Sequence, residues 1–263
     1  MACWKLILEY DGTRYAGWQE QPHARTIAGE LRLAAERLFS RPVEIAGAGR
    51  TDAGVHAIAQ VACIRSGKGG KPVEVLRGLN DSLPPDINVL RVDEAHPRFD
   101  PRRDALARYY VYQISTRRSA FAKRYVWWVK DRLDVNSMRR AIHSLRGRHD
   151  FARFCEARDD GGSTLVMVEH AELGIDGDLL LFRIGASHFL WKMVRRLAGT
   201  IVEVGRGSLS VEDFTSLVEG KSSNGFEVAS HTAPPSGLFL ERVIYNKSEK
   251  VSLPSAALPV RRI

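Results

Sequence analysis

The order in which strand-like and helix-like patterns follow one another constrains the fold of this chain more than any other feature of its sequence. Residues 4–10 place large apolar side chains at every second position, as a half-buried strand does. Thr26 then caps a helix with apolar residues at helical spacing, and two strands, a helix and a strand are predicted at 43–46, 55–64, 75–79 and 87–92. This βαββαβ order predicts a ferredoxin-like unit.

The same order recurs in the second part of the chain without repetition of sequence. The predicted elements are a strand, a helix, a hairpin, two further helices and a final strand, at residues 107–114, 134–147, 166–184, 189–204, 210 onwards and 238–245. We therefore predict the α+β class, with two ferredoxin-like halves that can share one mixed, mostly antiparallel central sheet and leave a cleft where they meet.

The boundary between the halves is predicted at residues 99–104, a charged segment that contains a proline. The N-terminal half then covers residues 1–100, and the C-terminal half covers residues 104–246. Residues 247–263 combine proline, serine and basic residues without periodicity, so we expect them to form a mobile tail.

The overall composition is that of a globular protein, with 44% hydrophobic and 27% charged residues. No apolar run approaches the ~20 residues that a membrane span needs. Met1 leads directly into the first predicted strand rather than into the hydrophobic region of a signal peptide. We therefore expect a cytoplasmic protein that has no membrane association.

Residues that bind metals or cofactors do not occur at the required spacings. The three cysteines form no C-x-x-C pair, and the eight histidines show no ligand spacing. The glycines near residue 47 do not open a helix with the G-x-G-x-x-G pattern of a dinucleotide site. We expect neither a metal site nor a small-molecule cofactor.

The charge balance favours a polyanionic partner. The chain has 39 Lys and Arg against 31 Asp and Glu, which leaves a formal charge of +8. Many basic proteins bind nothing charged, so this balance alone leaves the partner open. Aromatic residues alternate with arginines at 14–18, 108–110 and 124–128, a mixture that suits unpaired RNA because exposed bases stack on aromatic rings.

One loop between two predicted strands has the composition of a ligand site. It is rich in glycine and offers a single carboxylate, Asp52, with Arg50 two residues before it. A lone aspartate can act as a nucleophile or base where a cation keeps it ionised. From the spacing alone, a hairpin turn with a solvated arginine is the simpler interpretation.

The residues of this loop resemble a known signature. Residues 49–57, Gly-Arg-Thr-Asp-Ala-Gly-Val-His-Ala, are similar to the catalytic loop of the TruA family of tRNA pseudouridine synthases. Other segments resemble the same family in the same order, and they lie at residues 10–13, 17–19, 79–87, 108–112, 147–151, 189–199 and 235–238. The resemblance extends from about residue 4 to residue 245.

The resemblance implies a function and a partner. Members of the family convert uridine to pseudouridine at positions 38, 39 and 40 in the anticodon stem-loop of tRNA, without a cofactor and usually as homodimers. It also implies a central sheet with a positively charged cleft. A non-catalytic basic RNA-binding protein would explain the charge and the aromatics equally well, but it gives no reason for Asp52 among glycines. A carboxylate-dependent hydrolase should supply a second acid or a metal-binding cluster, and none is evident.

The resemblance also implies roles for five residues. Asp52 matches the catalytic aspartate, and Arg195 matches the arginine that pairs with it. Tyr110 matches the tyrosine that stacks on the target uracil, Arg50 the arginine that helps to displace the target nucleotide, and Leu238 an apolar wall of the pocket.

Neighbouring residues leave two of these assignments open from the sequence alone. A slip in register could confuse Tyr110 with Tyr109 or Tyr112, and strand alternation puts Tyr110 and Tyr112 on the same face. Arg195 could equally be a surface residue of its helix. Arg196, on a different helical face, is expected to matter little when removed.

Overall fold

The computed structural model describes residues 3–67, 69–156, 162–221, 225–249 and 252–260. In these ranges ten strands are present, at β1 (Cys3–Tyr10), β2 (Glu44–Gly47), β3 (His56–Arg65), β4 (Ile87–Ala95), β5 (Ala107–Ser115), β6 (Trp127–Trp128), β7 (Gly147–Asp150), β8 (Leu165–Asp176), β9 (Leu179–Ala186) and β10 (Leu238–Ile244). Five α-helices accompany them in the same ranges, at α1 (Ile27–Phe39), α2 (Pro72–Ser82), α3 (Val135–His143), α4 (Met193–Arg206) and α5 (Val211–Val218). The predicted α+β class is confirmed.

The chain forms two compact units that are not consecutive in sequence. The first unit comprises Met1–Leu106 and Phe239–Ser248, and the second comprises Ala107–Leu238 and Glu249–Ile263. The predicted halves, 1–100 and 104–246, were consecutive. The difference arises because β10, although late in the sequence, pairs in parallel with the start of β3 through Phe239 and Leu240.

The first unit contains the predicted βαββαβ order, β1-α1-β2-β3-α2-β4. Strand β1 lies between β3 and β4, and both pairings are antiparallel. The free edge of β3 is used twice, since its last four residues pair with β2 and its first two with β10. The edge of β3 beside the β2–β3 loop is therefore paired with another strand at both of its ends.

The second unit has an antiparallel sheet in the order β5-β9-β8-β7, with the short β6 parallel to the end of β5. All nine residues of β5 are buried. The predicted β8–β9 hairpin is present. The predicted long helix begins at Met193 rather than at 189, because Lys192 before it has a left-handed backbone with φ of 62°.

The C-terminal residues make specific contacts within the second unit. The Gln113 side chain on β5 accepts hydrogen bonds at Oε1 from the backbone N–H groups of Ala257 (2.7 Å) and Leu258 (3.4 Å). The buried Arg183 side chain donates to the carbonyl of Ser252. The segment predicted as a mobile tail thus includes residues 252–260 that are bound to the sheet, because buried polar groups on β5 and β9 need backbone partners.

Within the described ranges, no helix is both long and apolar enough to cross a membrane. In the same ranges, no three His, Cys, Asp or Glu side chains converge as metal ligands would.

Gln113→Leu should destabilise the protein by about 1–3 kcal/mol, because it removes the hydrogen bonds of a buried side chain. The Gln113 amide also donates to the carbonyl of Tyr125 (2.8 Å), so three backbone groups depend on this fully buried side chain. The measurement is urea unfolding of the wild type, Gln113→Leu, a chain that ends at residue 251, and the combination. The two changes should cost less together than their sum, and strict additivity would contradict the contact.

Candidate active site

The Asp52 loop is a hairpin connection whose shape is fixed by its backbone. The β2–β3 ladder continues into it, since the Ala48 N–H donates to the carbonyl of Val61 (2.8 Å). At its other end, the Val55 N–H donates to the carbonyl of Asp52 (3.1 Å), which closes a four-residue turn. Gly54, the third residue of that turn, has φ of 77°, a conformation that favours glycine.

A second loop, which follows β1, holds the Asp52 loop by its backbone. The Trp18 N–H donates to the carbonyl of Thr51 (3.0 Å), and the Gly54 N–H donates to the carbonyl of Tyr15 (3.3 Å). Gly17 has φ of 98°, and a Cβ atom there would lie 2.5 Å from the Thr51 carbonyl oxygen. The two loops therefore meet backbone to backbone, at a distance that no side chain at residue 17 allows.

Buried side chains fix the same loop from beneath. The hydroxyl groups of Tyr10 and Thr51 lie 2.9 Å apart and share a hydrogen bond, and the Gln60 amide donates to the carbonyl of Gly49 (2.8 Å). All three side chains are buried. Burial raises the pKa of Tyr10 well above its ordinary value, so its phenol stays neutral and available for this bond.

His56, at the start of β3, has a structural role. Its ring is buried, and its Nδ1 atom accepts a hydrogen bond from the N–H of Gly12 (3.1 Å). The ring also stacks on Phe239 of β10, with 4.7 Å between the centroids. These contacts join the end of the Asp52 loop to the loop that follows β1 and to β10, within the first unit.

The exposure of the loop residues alternates around Thr51. Thr51 is buried, whereas Arg50 is exposed and Asp52 is half-buried. The buried threonine thus acts as the anchor, and its two charged neighbours keep access to solvent. A half-buried carboxylate on a fixed backbone can meet a substrate without a rearrangement of the chain.

The three tyrosines of β5 differ in their contacts. Tyr112 is fully buried, and its hydroxyl donates to the carbonyl of Pro234 (2.7 Å). Tyr109 packs near His170, with ring centroids 6.1 Å apart. Tyr110 lies 6% exposed and meets the ring of Phe189 edge-on at 5.0 Å. Tyr112 is therefore committed to an internal bond, whereas the Tyr110 ring retains a small exposed area.

Arg195 is bound to the same short segment as Tyr112. Its Nε donates to the carbonyl of Ala233 (2.8 Å), the residue before the carbonyl that Tyr112 uses. Burial raises the pKa of Tyr112 far above its ordinary value, and the positive charge of Arg195 opposes that rise. The structure thus brings Arg195 close to the β5 tyrosines, while Leu238, which is buried, ends the segment that begins at Ala233.

Arg196 lies buried on α4, which argues against the expectation that its removal matters little. Its side chain is buried, and it donates to the carbonyl of Cys155 and to the carboxylate of Glu156 (2.7 Å). Lys192 lies 3.1 Å from the same carboxylate, and its hydrogen bond holds the pKa of Glu156 below its ordinary value. The partner of Arg196 lies 40 residues away in sequence, so helical spacing could not identify it.

Among the residues that support the loop, sequence reasoning missed Tyr10, Thr51 and Gln60 as a hydrogen-bonded group. The available signal was that a tyrosine at the end of one strand and a glutamine within another bring polar groups into otherwise apolar patterns. The five predicted site residues fall into two groups. Asp52 and Arg50 belong to the first unit, and Tyr110, Arg195 and Leu238 belong to the second.

Gly17→Ala should destabilise the protein more than Gly220→Ala does, by about 1–3 kcal/mol. Both glycines have a positive φ, of 98° and 77°, but a Cβ atom at residue 220 meets nothing within 4 Å. The control variant therefore carries the backbone strain alone, and the difference reports the clash with Thr51. Urea unfolding gives the free energies, and amide hydrogen exchange should accelerate at Trp18 only in Gly17→Ala. Equal losses in both variants would show that the loops do not press on each other.

Comparison with known proteins gives a family for the chain. A solved structure, the archaeal box H/ACA sRNP Nop10-Cbf5 complex, is similar over 89% of this chain and 59% of that one, with 12% identity and a TM-score of 0.35, which is too low to bear on the fold. The tRNA pseudouridine synthase A of Geobacter sulfurreducens is 42% identical over 241 residues, which is 91% of this chain and 98% of that protein. The protein of the same name from Myxococcus xanthus is 41% identical over 95% of this chain and 94% of its own length.

The sequence pattern of a whole family agrees with these pairwise similarities. The family model described as tRNA pseudouridine synthase matches residues 6–102 and 141–246. These ranges include four of the five predicted site residues, and Tyr110 lies in the interval between the ranges. The chain therefore belongs to the tRNA pseudouridine synthase family, as the resemblance of residues 49–57 predicted.

Proposed function

We propose that this chain is an isomerase that converts uridine to pseudouridine in tRNA, with Asp52 as its catalytic residue. The observation that carries the proposal is the geometry of the Asp52 loop. A single half-buried carboxylate stands on a backbone that is fixed by Trp18 and by Tyr10 through Thr51. Relatives named tRNA pseudouridine synthase A support the same reaction and the same substrate class.

The reaction needs no group beyond a placed carboxylate and a shaped pocket. The N1–C1′ bond of the nucleotide breaks, the uracil turns, and a bond forms between C5 and C1′. The C5 proton is then lost and N1 gains a proton, so substrate and product are isomers. Asp52 acts as nucleophile or as base at the ribose or the uracil, and its ionised oxygen is required in either role.

The target base must leave the RNA stack before it can react, which costs a few kcal/mol. We assign Tyr110 to offset this cost by stacking on the uracil. Tyr112 is less suited, because it is fully buried and its hydroxyl is bound to Pro234. Leu238 is proposed as an apolar wall for the base, and the exposed Arg50 as a group that helps to displace the target nucleotide.

We assign Arg195 to the same reaction as Asp52. A guanidinium that acts on a carboxylate favours its ionised form. The hydrogen bond from Nε to the carbonyl of Ala233 fixes the direction of the Arg195 side chain.

The finer features of the proposal follow from the family resemblance. We propose that the modified uridines are those at positions 38, 39 and 40 of the anticodon stem-loop and that the enzyme acts as a homodimer. A tRNA substrate and the +8 charge fit a cytoplasmic enzyme that binds polyanions.

Asp52→Asn should lower turnover on the order of 10⁴-fold while tRNA binding is retained, because asparagine keeps the size of the side chain and loses the ionised oxygen. Asp81→Asn is the matched control, since it makes the same change at an exposed position of α2 in the same unit. The measurement is pseudouridine formation on unmodified tRNA beside the dissociation constant for that tRNA. Substantial turnover by Asp52→Asn would remove this residue from the reaction.

Arg195→Ala should lower kcat on the order of 100-fold, because it removes a charge that acts during the reaction. It should also cost some stability, because the hydrogen bond to Ala233 is lost. Arg139→Ala, at an exposed position of α3, is the control and should behave as the wild type. Arg196→Ala should instead mainly lower the free energy of unfolding, by about 1–3 kcal/mol, because it removes the hydrogen bonds of a buried side chain to Cys155 and Glu156. If Arg195→Ala and Arg139→Ala have equal kinetics, Arg195 has no part in catalysis.

A further inference from the structure

The connection between β5 and α3 contains a strongly basic segment, residues 116–130, which we name the arm. It carries five Lys and Arg residues and no Asp or Glu, and the basic residues are Arg117, Arg118, Lys123, Arg124 and Lys130. The Asp178 carboxylate, from outside the arm, lies 3.0 Å from Nε of Arg117. Four of the five basic residues lie between residues 118 and 130.

The arm is anchored at both ends to the sheet of the second unit. At its start, the Thr116 N–H donates to the carbonyl of Asp178 (3.0 Å), in the turn between β8 and β9. At its end, the Val129 N–H donates to the carbonyl of Ser115 (3.0 Å), next to the short parallel pairing of β6 with β5. The arm is therefore a closed loop with a defined base.

The tip of the arm exposes an aromatic ring that has no packing role. Phe121 is 95% exposed, more than any other large hydrophobic residue in the described part of the chain. Trp128 near the base is 41% exposed, and the guanidinium of Arg118 lies 5.7 Å from the centroid of its ring. Exposed rings among cations are the arrangement with which proteins stack unpaired bases and contact phosphates.

The base of the arm is connected to residues of the proposed site within the second unit. The ring of Trp127 meets Tyr112 edge-on at 6.2 Å, and the Ser236 hydroxyl donates to the carbonyl of Val126 (3.3 Å). Ser236 is two residues before Leu238, and Tyr112 is two residues after Tyr110 on the same face of β5. A polynucleotide chain that reaches Tyr110 and Leu238 has its neighbouring nucleotides close to the base of the arm.

We propose that the arm is a second tRNA-docking surface, which binds the substrate outside the nucleotide that is modified. Phe121 stacks on an unpaired base, and Arg118 and Lys123 contact phosphates. The occupant is RNA because the segment carries five basic residues and no acidic one, which suits a polyanion. The proposal rests on the proposed function for its substrate, and it adds a surface that sets the affinity for tRNA.

Phe121→Ala should weaken the binding of unmodified tRNA by at least about fivefold, because base stacking on one aromatic side chain contributes that much or more. Phe121→Tyr keeps the ring and should bind as the wild type does. Leu253→Ala is the matched control, since Leu253 is an 82% exposed hydrophobic residue of the same unit and lies outside the arm. Fluorescence anisotropy with labelled tRNA gives the dissociation constants of the wild type and the three variants.

The charged residues provide an independent second variant. Arg118→Ala should reduce the slope of log affinity against log salt concentration by about 1, because one phosphate is no longer neutralised. Unchanged binding by Phe121→Ala, an equal loss in Leu253→Ala, or an altered oligomeric state of Phe121→Ala in light scattering would each overturn the proposal. Binding is measured without catalysis, so a wild-type protein that binds tRNA through the arm but forms no pseudouridine would contradict the proposed function alone.

Discussion

The two hydrogen bonds to Thr51 determine where Asp52 stands. The carbonyl of Thr51 accepts from the Trp18 N–H, and its hydroxyl shares a hydrogen bond with Tyr10 beneath the loop. Thr51 is held by its main chain and by its side chain, so its backbone has little conformational freedom. Asp52 is joined to it by a peptide bond, so the position of the Asp52 backbone is restricted as well. The carboxylate of Asp52 thus starts from a defined position, which lowers the entropy that a reaction must overcome. The absence of a side chain at Gly17 is the condition for this contact.

The second unit repeats this principle with a different set of bonds. The carbonyls of Ala233 and Pro234 accept from Arg195 and Tyr112, so a helix and a strand converge on one short segment. The same unit uses Gln113 to bind both the C-terminal residues and the base of the arm. Hydrogen bonds from polar side chains to backbone groups therefore position the residues to which we assign a role in RNA binding. The apolar core contributes less directly to their positions.

The sequence predicts those features that depend on local spacing. The βαββαβ order of the first unit, the β8–β9 hairpin and the loop around Asp52 follow from periodicity, turn residues and a family signature. Features that depend on distant partners were not predictable in this way. The pairing of β10 with β3, the bonds from Gln113 to Ala257 and the ion pair of Arg196 with Glu156 join residues that are far apart in sequence, and alternation or helical spacing identifies a face without naming its partner.

The most direct test of the account is the incubation of the wild-type protein with unmodified tRNA, followed by site-resolved mapping of pseudouridine. A fixed carboxylate in a family of tRNA pseudouridine synthases predicts new pseudouridine at one or more of positions 38, 39 and 40, without an added metal or cofactor. A tRNA that is bound but carries no new pseudouridine would contradict the central claim, because the Asp52 loop would then serve binding and not isomerisation.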